Sequence, residues 1–320
     1  MPASLTIVMY HYVRPLRSSA FPEIKGLDLS EFEGQLDYVE QNYQVVSAAQ
    51  IMEAASGGEA LPDSPLLLTF DDGYSDHYQY VFPTLKRRKM SGVFFPPGCA
   101  VMERTLLDVN KLHFLLASGV DFQHLIEKIE SEVNLERKSY GLHSIAGYRD
   151  EYWLPNRFDP ANIVYIKRML QSALPEELRK RITTELFRRY VSSDEKAFAD
   201  DLYLSLEDLK EMSDAGMEIG SHGYQHYWLD SLTPEEQKKD IDASLVFLEE
   251  AGVGRDQFLF CFPYGAYNQD TLVVLKERGC GAAFTTRVAL VDLHDYELLE
   301  LPRLDTNDLP KSRGGLPQQN

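Results

Sequence analysis

The sequence has little cysteine, fewer basic than acidic residues and no long apolar run, and each shortage excludes a class of protein. The three cysteines, Cys99, Cys261 and Cys280, are an odd number at unrelated spacings, which predicts free thiols and fits a reducing cytoplasm. With 32 basic against 50 acidic residues, the net charge is −18, which argues against a nucleic-acid or anionic-membrane surface. No stretch approaches the roughly 20 apolar residues that a transmembrane helix needs.

The first residues also lack the features of a secretion signal. Residues 1–4 lead directly into a strand-like segment, without a basic region or a cleavage site. We therefore expect a cytoplasmic protein. Its 320 residues, 44% of them hydrophobic, suffice for one large core or for a core with a subdomain.

A short apolar run that ends in two acids is the most informative stretch. Residues 66–70 are three leucines, a threonine and a phenylalanine, which predicts a buried strand. Asp71 and Asp72 follow, and then Gly73 permits a sharp turn. Adjacent carboxylates at a strand end repel each other unless a cation holds at least one of them. A solvated Asp-Asp-Gly turn is the common alternative.

Two histidines in the second half of the chain make a metal site the stronger interpretation. His222 and His226 are four positions apart, and on a helical turn residues at this spacing share a face. Two imidazoles and one carboxylate form a three-ligand set that leaves positions open for water and substrate. A histidine pair alone is usually a surface feature, whereas the pair together with the Asp-Asp strand end is more specific.

Three stretches resemble the motifs of a known enzyme family. Residues 69–73, 221–226 and 262–265 resemble, in order, the first three motifs of the polysaccharide deacetylases (the NodB-like family, carbohydrate esterase family 4). The resemblance covers roughly residues 5–100 and 205–305. It implies an α/β fold, a distorted (β/α)7-type barrel with its active residues at the carboxyl ends of the strands.

The order of elements predicts four segments. Residues 1–100 and 205–305 alternate strands with helices, as two parts of one barrel with a parallel sheet. Residues 101–204 read as long charged helices, a helical insertion without a catalytic constellation. Residues 306–320 are polar and rich in proline and glycine, which predicts a flexible tail.

The family resemblance implies roles for the motif residues. It implies a divalent metal on Asp72, His222 and His226, with Asp71 as the base that takes a proton from the attacking water. The backbone N–H of Tyr264 would help to hold the oxyanion. Zinc suits two imidazoles and a carboxylate best, while cobalt, nickel or iron also fit.

Two departures from the family pattern concern an arginine and a histidine. The family carries an arginine just before the Pro-Tyr of its third motif to orient the catalytic aspartate, where this chain has Cys261 and Phe262. Arg303 is the best substitute, because a guanidinium can hold a carboxylate with two hydrogen bonds. A surface ion pair is the alternative for Arg303.

The acid of the family's fifth motif is also missing from its usual place. Near the C-terminus there is His294, in a stretch that reads as a turn. Residues 9–13 resemble a circularly permuted form, found in exopolysaccharide deacetylases, that carries this histidine on the first strand. We therefore expect His11 to be the acid, with His294 as the alternative, and a hydrogen bond at the core edge as the non-catalytic role for His11.

Aromatic residues near the motifs suggest a sugar-binding rim. Tyr74, Tyr224, Tyr227 and Trp228 can stack on a sugar ring or serve in packing, and the resemblance places Pro263 among the substrate-binding residues.

The sequence thus predicts a metal-dependent N-deacetylase of an amino sugar. The expected substrate is a nucleotide-linked, lipid-linked or oligosaccharide precursor of a surface polysaccharide such as O-antigen or capsule. Deformylation of an N-formyl sugar, or hydrolysis of a non-sugar amide or cyclic imide, would use the same machinery. An inactive carbohydrate-binding protein is a different class, against which the complete set of acids and histidines speaks.

Overall fold

The structure is a computed structural model of the chain, and it describes residues 4–292 and 296–311. Within these residues the chain divides into two compact units. The first, which we call the barrel unit, comprises the described residues of Met1–Pro15, Gly26–Thr105 and Ala199–Asn320. The second, which we call the helical unit, comprises Leu16–Lys25 and Leu106–Phe198.

The strands are mostly short. In chain order they are β1 Ser4–Tyr10, β2 Val13–Arg14, β3 Leu27–Asp28, β4 Gln44–Val45, β5 Pro65–Asp71, β6 Val93–Phe95, β7 Glu218–Ile219, β8 Leu259–Cys261, β9 Ala282–Phe284, β10 Val291–Asp292 and β11 Leu304–Asp305. Short 3-10 segments at Leu16–Ser18, Leu229–Ser231, Pro263–Gly265, Leu298–Glu300 and Thr306–Asp308, and π segments at His77–Val81 and Met169–Ala173, complete the turns.

The helices separate most of the strands. They are α1 Leu29–Asn42, α2 Ala48–Ala55, α3 Phe82–Arg88, α4 Gly98–Met102, α5 Asp108–Ala117, α6 Phe122–Tyr140, α7 Ile145–Tyr152, α8 Ala161–Arg168, α9 Glu176–Tyr190, α10 Glu195–Leu202, α11 Leu206–Asp214, α12 Pro234–Glu250 and α13 Gln269–Glu277. None of the helices among the described residues combines the length and the apolar character needed to cross a membrane.

The strands follow one another around a distorted barrel, as the sequence predicts. The main sheet has the order β10-β1-β5-β6-β7, with β4 beside β5 and β11 beside β1, and its pairs are parallel except for β10 with β1. A single bridge between Ser221 and Phe260 leads on to the β8–β9 pair, and another between Phe284 and Leu301 leads back towards β11. The strands therefore form a ring that is connected in part by single bridges, and they do not form a regular closed barrel.

Strand β5 is buried on both faces. Leu66, Leu68 and Phe70 pack in a cluster with side chains of the surrounding helices, whereas Leu67 packs in a second cluster made mostly from strands. This alternation follows from the two-residue period of a strand. It places Thr69 and Asp71 on the same face as Leu67, towards the interior of the ring.

The helical unit is built from amphipathic helices with a core of its own. In α6, Asp121 caps the first turn by accepting from the backbone N–H of His124, and Gly141 ends the helix with φ +63°. Leu125, Ile129 and the other apolar side chains of one face of α6 pack into that core. The helices of this unit thus form a compact body.

The segment boundaries differ from the predicted ones in three places. Leu16–Lys25 belongs to the helical unit, because the Lys25 ammonium donates to Asp159 Oδ1 at 2.6 Å. The helical unit also begins at Leu106 and ends at Phe198, inside the predicted limits. The predicted tail of 306–320 begins too early, because Gln35 Nε2 donates to the Thr306 and Leu309 carbonyls and holds this stretch against α1.

Candidate functional site

The carboxyl ends of neighbouring parallel strands bring the predicted site residues together. β5 ends at Asp71, with Asp72 next, and β1 is followed by His11. His222 follows the bridge residue Ser221 beyond β7. Parallel strands present their carboxyl ends at one edge of a sheet, and the side chains of these residues therefore meet.

Asp72 and the two histidines form a buried ligand set. Asp72 Oδ1 lies 3.4 Å from His222 Nε2 and 3.3 Å from His226 Nε2, and all three side chains are buried. His222 Nδ1 lies 2.8 Å from the Cys261 carbonyl oxygen, so Nδ1 carries a hydrogen, and in the neutral form of the ring Nε2 carries a lone pair. A lone pair facing a carboxylate oxygen needs a cation or a proton between them. The donor set therefore fits a divalent metal ion.

A second group of possible ligands fits a metal less well. Among the described residues, Asp71, His222 and Cys261 also offer ligand atoms within 4.8 Å of one another. However, the Arg303 guanidinium donates both to Asp71 and to Cys261 Sγ. Because a metal ion there would be repelled by this positive charge, the set with Asp72 is the better candidate.

The two histidines lie on a loop, so the predicted helical turn is wrong. Gly223 has φ +68° and His226 has φ +57°, backbone conformations that a helix does not contain. The buried carboxylate of Asp240, on α12, accepts from the backbone N–H groups of Tyr224 at 3.0 Å and Gln225 at 2.8 Å. Asp240 thus holds the loop that brings the imidazoles together, a role that the sequence analysis missed.

Asp71 is clamped by a buried arginine. Arg303 donates from Nη1 to Asp71 Oδ1 and from Nη2 to Oδ2, both at 2.8 Å, and Nε donates to the Thr285 carbonyl at 2.9 Å. Arg303 is fully buried, so the surface ion pair considered for it is wrong. Burial would raise the pKa of Asp71, but the Arg303 guanidinium holds that pKa below its ordinary value. Asp71 is therefore an ionised carboxylate at neutral pH.

Cys261 occupies the space beside this clamp. Its Sγ lies 3.1 Å from Arg303 Nη2 and 3.5 Å from Asp71 Oδ2, and the side chain is fully buried. A larger side chain on this strand end would collide with the guanidinium. Cys261, Arg303 and Asp71 thus form one buried contact group.

His11 lies beside Asp71 at the edge of the site. Its Nε2 is 3.9 Å from Asp71 Oδ2, and 40% of its side chain is exposed. Its backbone carbonyl accepts from Nε2 of the buried His77 at 2.8 Å. His294, the alternative, lies outside the described residues.

Tyr264 has a backbone conformation that is uncommon for a residue with a side chain. It lies in the Pro263–Gly265 turn with φ +59°. Its ring contacts that of His226, with 4.7 Å between ring centroids, and stacks on that of Trp228 at 4.3 Å. The turn thus fixes the backbone of Tyr264 beside the ligand set.

The predicted rim residues differ in exposure. Trp228, Tyr224 and Tyr227 are half-buried, and the Tyr224 hydroxyl donates to Glu103 Oε1 at 2.8 Å. Pro263 is buried in the turn. Tyr74 is fully buried and its hydroxyl donates to Asp72 Oδ2 at 2.6 Å, so of its two expected roles packing fits the structure and stacking on a sugar at the rim does not.

Comparison with protein families gives one match that spans both parts of the barrel. The family model described as polysaccharide deacetylase matches residues 58–151 and 182–283. The two matched stretches contain Asp71, Asp72 and both histidines of the ligand set. Together they cover more than half of the chain.

Two curated relatives are similar to parts of the chain. The putative polysaccharide deacetylase YxkH of Bacillus subtilis (strain 168) is 28% identical over 131 residues, which is 40% of this chain and 45% of that protein. The poly-beta-1,6-N-acetyl-D-glucosamine N-deacetylase of Escherichia coli (strain K12) is 49% identical over 59 residues, which is 18% of this chain and 9% of that protein. The chain thus aligns with less than half of the length of each.

Two solved structures are similar over nearly the whole chain. The Streptococcus pyogenes deacetylase PplD, in complex with acetate, has a TM-score of 0.56 at 17% identity and covers 97% of this chain and 94% of its own. IcaB from Ammonifex degensii has a TM-score of 0.55 at 21% identity, covering 96% of this chain and 93% of its own. At these identities the likeness shows a shared fold.

Proposed function

The chain belongs to the polysaccharide deacetylase family, and on this premise we propose that it is a metal-dependent hydrolase that removes an N-acyl group, acetyl first of all, from an amino sugar. The observation that carries the proposal is one constellation. A buried carboxylate and two imidazoles face one point, and a second buried carboxylate, clamped by Arg303, lies next to them. Amide hydrolysis needs these components together.

Asp72, His222 and His226 would hold the metal. A divalent cation supplies two things at such a site, a polarised amide carbonyl and a water of lowered pKa. Zinc suits these ligands best, and cobalt, nickel or iron are the other candidates. The Cys261 carbonyl keeps the His222 ring in the required tautomer, as partners behind metal-binding histidines do.

Asp71 would act as the general base. Its lowered pKa keeps it ionised at neutral pH, and Arg303 holds both of its oxygens in a fixed plane. A carboxylate that cannot rotate keeps its remaining lone pairs in fixed positions, and one of them would accept a proton from the attacking water. The proton of that water therefore passes to Asp71, which requires no rearrangement of the clamp.

His11 would act as the general acid for the leaving amine. Its partly exposed imidazole, 3.9 Å from Asp71 Oδ2, can exchange protons with solvent and lies within reach of the same reacting centre. The hydrogen bond from His77 to the His11 carbonyl fixes the backbone that carries the imidazole. The circularly permuted arrangement, with the acid on the first strand, is part of this proposal.

The Tyr264 backbone N–H would stabilise the oxyanion. The positive φ of Tyr264 sets the orientation of this peptide group within the turn, before any substrate binds. Preorganised donors of this kind stabilise a developing negative charge without a reorganisation cost. Trp228, Tyr224 and Pro263 would contact the sugar, where aromatic rings cover its apolar faces.

The substrate is specified further by its acyl group and by the carrier to which the sugar is linked. We propose first an N-acetyl sugar in a nucleotide-linked or lipid-linked precursor of surface polysaccharide assembly, such as O-antigen or capsule, handled in the cytoplasm. The unpaired state of Cys99, Cys261 and Cys280 supports a reducing compartment. The printed name of the Escherichia coli relative supports a second candidate, a poly-β-1,6-linked N-acetylglucosamine oligomer.

Acyl-group release on a panel of substrates tests the proposal. Zinc-loaded and cobalt-loaded protein would be incubated with N-acetyl and N-formyl amino sugars, their nucleotide-linked forms and β-1,6-linked N-acetylglucosamine oligomers, and with a cyclic imide. We expect acetate release from at least one N-acetyl substrate, and none from that substrate with Asp71→Asn.

The other outcomes assign the alternatives. Formate release alone would indicate a sugar deformylase, and turnover of the imide alone a non-sugar hydrolase. Saturable binding of an oligosaccharide without any release would indicate a carbohydrate-binding protein and contradict the proposal. Turnover of the β-1,6-linked oligomers without turnover of the nucleotide-linked sugars would indicate that the substrate is the polymer and not its precursor.

A further inference from the structure

The hydroxyl of Tyr74 contacts the metal-ligand carboxylate on the side away from the histidines. Tyr74 Oη donates to Asp72 Oδ2 at 2.6 Å, while Asp72 Oδ1 is the oxygen that faces His222 and His226. The two oxygens of one carboxylate therefore have different partners. This division is what a carboxylate needs in order to bind a cation through a single oxygen.

The Tyr74 ring is fully buried among other aromatic rings, so the hydroxyl has a fixed position. The ring of Tyr12 stacks on it with 3.9 Å between centroids, and the ring of Tyr203 lies nearly parallel on it at 6.4 Å. The backbones of Tyr74 and Tyr203 form an antiparallel bridge, and Leu204 N donates to the Gly73 carbonyl at 2.9 Å. Contacts from distant parts of the chain thus fix the donor before any metal binds.

We propose that Tyr74 is a positioning residue of the metal centre. Its hydroxyl donates a hydrogen bond to Asp72 Oδ2. This bond prevents rotation of the carboxylate and directs Oδ1 to the point between the two imidazoles. Without this hydrogen bond, Asp72 can turn about its Cβ–Cγ bond or present both oxygens, and the three ligand atoms no longer converge. The inference rests on the proposed function in one respect, that a cation binds to Asp72, His222 and His226.

A second buried tyrosine of the barrel unit provides a matched control. Tyr10 is also fully buried and its ring stacks on Phe70, but its hydroxyl has no hydrogen-bond partner among the described residues. Tyr10→Phe and Tyr74→Phe thus remove the same atom from similar surroundings. A difference between the two variants reports on the contact with Asp72.

The experiment measures metal affinity rather than turnover. Metal-free wild type, Tyr74→Phe and Tyr10→Phe would be titrated with Zn²⁺ and with Co²⁺ in competition with a chromophoric chelator, after near-ultraviolet circular dichroism has shown that each is folded. We expect Tyr74→Phe to bind about 10- to 100-fold more weakly, the range for partners behind metal ligands, and Tyr10→Phe to bind like wild type. Equal affinities of wild type and Tyr74→Phe, or equal losses in both variants, would overturn the inference.

A variant that restores the donor covers the case in which Tyr74→Phe does not fold. A 4-aminophenylalanine at position 74 keeps the ring and places an N–H donor where the hydroxyl was. Affinity close to that of wild type would support the inference, and an affinity reduced by tenfold or more would overturn it. Absence of metal binding by the folded wild type would contradict the proposed function instead, so the two failures are distinguishable.

Discussion

The barrel unit gathers several buried charged side chains at one place, and the described part of the helical unit does not. The barrel unit buries Asp71, Asp72, His222, His226 and Arg303 together at the carboxyl ends of its strands. The helical unit contains half of the basic residues of the chain but fewer than a third of the acidic ones, and most of its ion pairs are at the surface. Its charges are therefore close to balanced, and the excess of acid is in the barrel unit.

The buried charged groups gathered in the barrel unit form the candidate site, whereas the surface charges of the helical unit mainly face water. Surface ion pairs contribute little to stability and can be lost at small cost, whereas breaking a buried ion pair leaves an uncompensated charge and is strongly destabilising. The helical unit does bury one carboxylate, Asp159, but Lys25 and Lys167 saturate it and it ties Leu16–Lys25 to α8. Neither group of possible metal ligands in the described part of the chain includes a residue of the helical unit.

The largest expected effect is on turnover, through the proposed base. Asp71→Asn keeps the size of the side chain and removes its capacity to take a proton, so we expect kcat to fall about 10²- to 10⁴-fold. Bound metal should stay at the wild-type level, because Asp71 lies outside the set with Asp72. Acetate release gives kcat, and elemental analysis gives the metal content.

Asp159→Asn is the matched change in the helical unit. It neutralises another buried carboxylate and should leave kcat unchanged. A fall as large as that of Asp71→Asn would remove the distinction between the two units.

The next largest effect is on stability, through the clamp. Arg303→Met leaves Asp71 buried without its cation, and we expect the free energy of unfolding to fall by about 3–5 kcal/mol. In the helical unit, Arg181→Met removes a guanidinium that is paired with Glu132 and Glu136 at the surface, which should cost less than about 1 kcal/mol. Urea unfolding measures both, and equal losses would contradict the comparison.

A smaller effect should follow from loosening the histidine loop. Asp240→Asn replaces one acceptor by an amide N–H₂ that faces a backbone N–H, so the loop from Tyr224 to His226 loses a hydrogen bond. We expect about tenfold weaker metal binding, measured by chelator competition. Asp242→Asn changes the neighbouring exposed carboxylate of α12, paired with Arg278, and should not alter the affinity. The same weakening in both variants would assign the effect to helix α12 and not to the loop.

The smallest effect is expected for Cys261→Ser. A hydroxyl keeps a donor for Asp71 and an acceptor for Arg303, although its shorter bond to Cβ lengthens both contacts. We expect kcat to fall by less than about tenfold, consistent with the weakening of one or two hydrogen bonds. Steady-state kinetics measure it, and a loss as large as that of Asp71→Asn would mean that the sulfur itself takes part in the reaction.

The sequence predicted those site residues that lie at the ends of neighbouring strands, because strand order decides which of them meet. The apolar run before Asp71 and the motif spacing place Asp71, Asp72 and His222 at strand ends, and the ends of parallel strands meet. Arg303 was singled out in a different way, from the family resemblance, as the best substitute for an arginine that the third motif lacks here.

The errors concern side chains whose environment comes from distant parts of the chain. The histidine spacing suggested a helical turn, but Asp240 and the positive φ of Gly223 favour a loop. Tyr74 was expected either to stack on a sugar at the rim or to serve in packing, and it is fully buried and packs against the ring of Tyr12. Sequence periodicity cannot predict such contacts, because they join residues that are far apart in the sequence and meet only in the folded barrel unit.

The metal content of the protein tests the central claim most directly. Wild type and His222→Ala would be purified without a chelator, loaded with zinc, cobalt or nickel, and measured by elemental analysis. The account predicts about one equivalent of metal in wild type and its loss in His222→Ala. A wild type that binds none of these metals would contradict the account and favour a carbohydrate-binding protein.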